Sequence, residues 1–456
     1  SLEPTPDRLF DAFPLEQSDV TIEAKADASG AANAADFDAT LDRKDEANRH
    51  GTSSQPQLQL TEQHADQQDE DDDDDMFAVD EEDMFKSMVN EVRDTRAVPV
   101  VQKSGPGEAN LPSNWDDDEG YYRVIIGEMI DDGRYHIQSN LGKGMFSTVV
   151  KAVDNVDGRE VAIKIVRSNE VMYKAGIKEV AIVRKLNEAD PGDRKHLIRL
   201  LRSFEFRGHL CIVFEGMTQN LREVLKKYGR DAGLNIKAVQ AYAQQSFLAL
   251  LHLRRCNVLH ADLKPDNILV NESRTVLKVC DLGSASDASE NTVTPYLASR
   301  FYRAPELIVG LPYDFAIDMW SIGCTLFELY TGKILFAGAN NNQMLKVIMQ
   351  ARGKIPHKLL RRGAFTSMHF DSNLTFLSRE QDSLTGKQVS KPLSLANNTT
   401  GGQRDIKARV LQHHATRADE RLVAMFADLL DKCLNLNPEK RLTPAEALRH
   451  PFVQKQ

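Results

Sequence analysis

Cysteine is scarce in this chain, five in 456 residues, and the five do not group. Cys211, Cys256, Cys280, Cys324 and Cys433 are widely spaced, odd in number and form no C-x-x-C pair. That argues against a disulfide framework or a zinc site and fits a reducing compartment. Long apolar runs are missing as well. None approaches the roughly 20 residues a membrane span needs, so no membrane partner is expected. The first residues lack a basic start and an apolar stretch, so no secretory leader is read there. The chain begins at Ser1, which leaves a targeting segment upstream open. Basic residues are sparse at one end. Residues 1–120 hold 9 Lys and Arg against 32 Asp and Glu, net −23, which leaves +13 on residues 121–456 of a chain totalling −10. The basic body could attract acidic or phosphorylated partners or lie near RNA; the alternative is a solvated surface with a lysine excess.

Residues 1–113 read as a disordered acidic tail without regular apolar periodicity. After the acidic run 69–75, Asp75-Met76-Phe77 and Asp83-Met84-Phe85 repeat one short pattern. It suits a docking peptide that folds on a partner, or a solvated linker with incidental apolar residues. Order is expected to begin near Asn114-Trp115, with 114–134 an extension packing along a small lobe. Strand-like alternation then covers 135–141, 149–155 and 160–166, a helical spacing covers 171–187, and 197–204 and 210–214 complete an expected five-stranded sheet. After Met217 the pattern is mainly helical, at 221–228, 236–255, 317–331, 340–351 and 420–434. A small β-rich lobe followed by a large helical lobe is an α+β arrangement, placed here at 135–453.

Several motifs meet the needs of phosphoryl transfer, which are to hold phosphates, place metal ions and align a hydroxyl. Leu141-Gly142-Lys143-Gly144-Met145-Phe146-Ser147-Thr148-Val149 is a glycine-containing turn between two strands, whose backbone N–H groups can approach phosphates closely. Val161-Ala162-Ile163-Lys164 places a lysine in an apolar strand, a costly position unless the ammonium is paired. Its expected partners are phosphates and Glu179 of the following helix; the alternative for Glu179 is a surface charge. In His260-Ala261-Asp262-Leu263-Lys264-Pro265-Asp266-Asn267, Asp262 can orient the substrate hydroxyl, Lys264 can neutralise the moving group and Asn267 can hold a metal. Asp281-Leu282-Gly283 supplies a second metal ligand in Asp281. Ala304-Pro305-Glu306 is expected to pair through Glu306 with Arg441, and Asp318 to tether the loop around Asp262.

Six such motifs in this order resemble the protein kinase superfamily over about 130–455. The resemblance implies ATP with Mg²⁺ in an interlobe cleft, adenine against Glu215-Gly216-Met217 and Phe214 as gatekeeper. Ser147 departs from the family's third glycine. Ala261, where most kinases carry Arg, and Leu282 also depart, which keeps a pseudokinase scaffold as a rival reading. The long stretch between Gln350 and Arg421 and the motif Ser299-Arg300-Phe301-Tyr302-Arg303 resemble the CMGC group, on its DYRK and CLK side. Asn114-Trp115-Asp116-Asp117, Glu119-Gly120-Tyr121-Tyr122-Arg123 and 220–229 are similar to the spliceosomal pre-mRNA-processing kinases. That resemblance implies a nuclear serine/threonine kinase, monomeric in its kinase domain, acting on tri-snRNP proteins without sequence-specific nucleic-acid binding. A DYRK- or CLK-like signalling kinase is the rival within the group. The DYRK-like spacing further implies a phosphorylated Tyr296 held by Arg300 and Arg303, with Thr292 and Thr294 as alternative sites.

Overall fold

Glu160–Val166 alternates β-branched residues with Ala162 and Lys164, and it folds as the strand that pattern demands. The computed structural model describes residues 33–34, 115–229, 232–289, 296–381, 388–393, 405–413 and 419–454. The expected tail, the paired acidic Met-Phe motifs, Thr292 and Thr294 fall outside these residues, apart from Asn33 and Ala34. The chain divides into two compact units, one of Lys44–Ile177 and Leu200–Gly216, the other of Ser1–Arg43, Lys178–Arg199 and Met217–Gln456.

The smaller unit is built on β1 (Met129–Ile130), β2 (Tyr135–Lys143), β3 (Ser147–Asp154), β4 (Glu160–Val166), β5 (Leu200–Phe206) and β6 (His209–Glu215). They form one antiparallel sheet in the order β1-β2-β3-β4-β6-β5. This corrects the expected five strands to six. The added strand is two residues of the extension, too short to show a period of two in sequence. One face of the sheet buries Ile137, Val150, Ala152, Val161, Ile163, Ile165, Cys211 and Val213 together with Tyr122 and Tyr135. Tyr135 stacks on Phe204 at 5.6 Å.

Helix α1 (Glu170–Glu188) follows β4 and contributes residues to both units. The larger unit continues with β7 (Gln219–Asn220), α2 (Leu221–Val224), α3 (Ile236–Arg255), β8 (Val258–Leu259), β9 (Ile268–Val270), β10 (Leu277–Val279) and β11 (Ser286–Asp287). Then come α4 (Pro305–Val309), α5 (Ala316–Thr331), α6 (Asn341–Arg352), α7 (His357–Leu360), α8 (Ile406–Gln412), α9 (Glu420–Cys433) and α10 (Pro444–Ala447). The helix expected at 221–228 is α2 followed by a π turn over Leu225–Gly229. Asn235 caps α3 by accepting from Lys237 N–H, and the helix buries Val239, Ala243, Phe247 and Leu250 at helical spacing. α5 is apolar nearly all round and accordingly buried from Ile317 to Thr331. Trp320 in α5 stacks on Phe336 at 5.4 Å. Within the long insert, β12 (Leu377–Gln381) pairs with β13 (Gln388–Pro392). The mixed α+β class is as expected. Ala34 is fully buried in the larger unit; its N–H donates to Gly332 O at 3.1 Å and its carbonyl accepts from Arg222 at 2.9 Å.

Candidate active site

In the smaller unit, the register decides which side chains share a face. Lys164 lies opposite Val149 on β3 and Ile212 on β6, Ala162 opposite Phe214, and Gly142 opposite Val149. Cross-strand partners project to the same side. Gly142, Val149, Ala162, Lys164 and Phe214 therefore occupy one face, and Val150, Ile163 and Val213 the other, against the core. These five of the residues assigned to ATP from sequence thus lie on the face that the core leaves over. Leu141 is exposed, and Lys164 and Val149 are half-buried. Gly144, Met145 and Phe146 form the turn, closed by Gly144 N–H donating to Ser147 O at 2.8 Å. Glu215 ends β6. At Gly216 an added Cβ would stand 2.5 Å from Glu160 O, so no side chain fits there.

In the larger unit, β8 delivers the chain into the loop that begins at His260. Asp318, fully buried at the start of α5, accepts from the N–H groups of His260 and Ala261, each at 2.9 Å. Burial raises its pKa, opposed by His260 and by the two amides. Ala261 has φ +64°, a left-handed conformation that costs a non-glycine residue about 1–2 kcal/mol. The two amide bonds to Asp318 hold it there. His260 accepts from Asp262 N–H at Nδ1, 3.2 Å, which leaves Nε2–H to donate to Cys280 O at 3.0 Å. One buried imidazole so joins the loop to the residue before Asp281.

The carboxylate of Asp262 is the centre of the constellation. Its Oδ1 accepts from Ser299 N–H at 3.0 Å and Ser299 Oγ–H at 2.7 Å. Its Oδ2 accepts from Lys264 Nζ and Asn267 Nδ2, each at 3.1 Å. Lys264 Nζ also donates to Ser299 Oγ at 3.1 Å. Asn267 Nδ2 donates in addition to Asp262 O at 2.9 Å, so its amide hydrogens point inward and Oδ1 is the atom left for a cation. Asp281 is exposed, with φ +58° and ψ +72°. Left-handed backbone is tolerated by Asp better than by most residues. No group of three or more His, Cys, Asp or Glu among the described residues could enclose a metal ion. One exposed aspartate and one amide oxygen suit a hard cation that completes its shell with phosphates and water.

Glu306 and Arg441, both buried, form a two-pronged pair at 2.5 and 2.9 Å, as expected. Glu179 is 4% exposed, which removes the surface-charge alternative for it. A further network was not foreseen. Arg222 of α2 pairs with Glu328, donates to Tyr302 Oη at 2.6 Å and reaches Asp266 at 3.1 Å. Burial works to lower the Arg222 pKa, but Tyr302, Glu328 and Asp266 outweigh it and raise it.

Tyr296 is 41% exposed, with the Arg303 guanidinium 5.7 Å from its ring centre. Arg303 is buried and donates to Leu297 O at 3.1 Å, Ala298 O at 2.9 Å and Asn341 Oδ1 at 2.6 Å. Arg300 donates to Ala339 O at 2.5 Å, and burial with the nearby Arg303 charge lowers its pKa. Sequence reasoning quoted Ser299 without giving it a role and gave none to His260. Ser299 stands 37 residues from Asp262, a separation that carries no local signal, whereas His260 lies in the same motif two residues before it.

A glycine turn on a lysine-bearing sheet and an Asp-Lys-Asn loop beside an exposed Asp define a class, the protein kinase domain. The model of that domain matches residues 135–453. The chain belongs to this family, with which go the use of ATP and of a divalent cation, and its relatives lie in the serine/threonine branch. It is 48% identical to serine/threonine-protein kinase prp4 of Schizosaccharomyces pombe, over 90% of this chain and 86% of that one. It is 44% identical to serine/threonine-protein kinase prpf4B of Dictyostelium discoideum, over 76% of this chain and 42% of the longer relative. Serine/threonine-protein kinase ppk5 of Schizosaccharomyces pombe is 38% identical over 74% of this chain and 38% of its own length. No described helix is long and apolar enough to cross a membrane.

Proposed function

We propose that this chain transfers the γ-phosphoryl group of ATP to serine and threonine hydroxyls of pre-mRNA splicing proteins in the nucleus, those of the tri-snRNP first. The observation that carries the chemistry is the carboxylate of Asp262, held by Ser299, Lys264 and Asn267. In this reading Asp262 orients the attacking hydroxyl and receives its proton, and Lys264 offsets charge on the group in transit. Lys164, supported by Glu179, and the turn 142–147 hold the phosphates. Glu215, Gly216, Met217 and Phe214 receive the adenine. Asn267 and Asp281 would hold Mg²⁺, which supplies neutralising charge to the phosphates. The splicing assignment is supported by segments 114–123 and 220–229 and by the similarity to prp4 kinases. Residues 135–453 act as a monomeric kinase domain, 114–134 as its extension and 1–113 as an acidic appendage. Tyr296 is a phosphorylation site whose phosphate brings about −1.5 to −2 charges to Arg300 and Arg303.

Transfer of radiolabelled γ-phosphate to a tri-snRNP protein tests the chemistry. Asp281→Asn and Lys164→Met should each abolish transfer and leave the unfolding midpoint in place. Turnover by Asp281→Asn above ~10% of wild type with Mg²⁺ would sink the metal assignment. Tagged kinase that brings down no tri-snRNP protein at low salt would move the biology to a DYRK- or CLK-like signalling role. Peptide mass analysis of active enzyme made in bacteria should find Tyr296 modified. An unmodified Tyr296, with normal turnover by Tyr296→Phe, removes the clamp.

A further inference from the structure

We propose that Tyr121 is a positioning residue for phosphate binding, acting through the backbone of the glycine turn. Residues 115–123 lock into one compact loop. Asp117 Oδ1 accepts from Glu119 N–H at 3.0 Å and Tyr121 N–H at 2.9 Å, and Arg123 N–H donates to Trp115 O at 2.8 Å. The loop is fastened to the sheet. Ser168 N–H donates to Gly120 O at 2.9 Å, Asp116 meets His209 Nε2 at 2.8 Å, and Tyr122 enters the core. With Tyr122 committed to the core, Tyr121 reaches the turn instead. Its hydroxyl stands 2.9 Å from both Gly144 O and Met145 O, and its one O–H is shared between them. Its ring is 4% exposed between two cations, with Lys143 Nζ at 3.7 Å and the Arg167 guanidinium at 4.5 Å from its centre. Lys143 closes the arrangement through Asp117 at 2.8 Å.

The consequence follows from peptide geometry. Three successive carbonyls of the turn are taken on the side of the extension. Tyr121 takes those of Gly144 and Met145. Arg167 takes Met145 O with Nη1 at 3.2 Å and Phe146 O with its N–H at 3.1 Å. In a trans peptide plane the C=O and the following N–H point in opposite directions. The N–H groups of Met145 and Phe146 are thereby turned away from Tyr121, as adjacent donors on the other side of the turn. Successive amides aimed together are an anion site. Without the hydroxyl Met145 O keeps Arg167, but the Gly144–Met145 plane loses this hold, and its orientation has to be restored whenever a phosphate binds.

The inference rests on the reading that this turn holds the phosphates of ATP, and one experiment separates the two. Calorimetry on the full chain would measure adenosine and Mg·ADP affinities for wild type, Tyr121→Phe and Lys164→Met. Tyr121→Phe keeps the ring between Lys143 and Arg167 and removes only the hydroxyl. The expected result is adenosine affinity within twofold of wild type and Mg·ADP affinity about fivefold weaker. The KM for ATP should rise by the same factor while the KM for a protein substrate and kcat hold. Equal affinities for wild type and Tyr121→Phe would overturn the inference, as would equal weakening of adenosine and Mg·ADP, which a loss of fold would give. If Lys164→Met binds Mg·ADP as wild type does, the phosphate site itself is misplaced and both readings fall.

Discussion

Ser299 and Asp262 lie 37 residues apart in sequence, yet the serine hydroxyl donates to the carboxylate at 2.7 Å and accepts from Lys264. This places one side chain against both Asp262 and Lys264, the proposed base and cation of the transfer step. Ser299→Ala leaves Asp262 its bonds to Asn267, Lys264 and the N–H of residue 299, and removes the shorter of the two bonds on Oδ1. Turnover should fall about tenfold with little change in the KM for ATP, since orientation is lost and phosphate contacts are not. Steady-state kinetics decides this, and a variant with unchanged kcat would show that Ser299 only packs. Arg441 illustrates a residue whose loss acts on stability instead. It and Glu306 are both almost wholly buried, at 2.5 Å. Arg441→Met strands a carboxylate inside the larger unit, and should lower unfolding free energy by about 3–5 kcal/mol in urea titration. A loss under ~1 kcal/mol would mean that Glu306 finds water or takes a proton. Glu306 and Arg441 were legible from their motifs. Ser299 was not, because the position that gives a serine its role is set by the returning chain.

At the scale of elements, the insert behaves as a packed part of the larger unit. His369 is buried there, accepts from Asn342 of α6 at 3.3 Å, and its carbonyl accepts from Leu377 N–H of β12. Burial, with Arg379 nearby, depresses its pKa from 6.5 to about 4. A histidine depressed on folding binds fewer protons when folded than when unfolded. Its stabilising contribution is therefore complete above pH 6.5 and is lost as pH falls through the window from 6.5 to about 4. One such group adds a slope of at most about 1.4 kcal/mol per pH unit. His196, depressed chiefly by burial, acts in the same direction. Urea unfolding between pH 4.5 and 7 should show this loss, and His369→Gln should flatten part of it. An unchanged slope in that variant would place the titration elsewhere. The strands and long helices of both units were legible, since periods of two and of 3.6 are printed in β4 and α3. The edge strand β1 and the π turn at Leu225–Gly229 were not, being too short to carry a period.

For the whole molecule the charge split matters most. Residues 1–120 carry −23 and the remainder +13, an attraction screened beyond about 8 Å at physiological salt. An acidic segment competes with acidic or phosphorylated substrates for basic surface. Removing residues 1–110 should lower the KM for protein substrates at low ionic strength, with the difference closing as salt rises. A KM unchanged across salt removes this idea. Ala34 adds a short-range contact to the long-range one, since its carbonyl caps Arg222, which in turn reaches Asp266 beside Asn267.

Sequence by itself determined the chemistry and the class. Asp262, Lys264, Asn267, Asp281 and Lys164 stand in motifs whose residue types have few other uses together, and local patterning sets strands and helices through neighbours two to four positions away. Tertiary structure alone decided what touches what across long separations. It set Ser299 on Asp262, Arg222 between Glu328 and Asp266, and Tyr121 on the glycine turn 23 residues downstream. The physical reason is that these bonds are short-ranged and directional. Whether a hydroxyl lies 2.9 Å or 9 Å from a carbonyl depends on the packing of the elements between them, which no local pattern encodes.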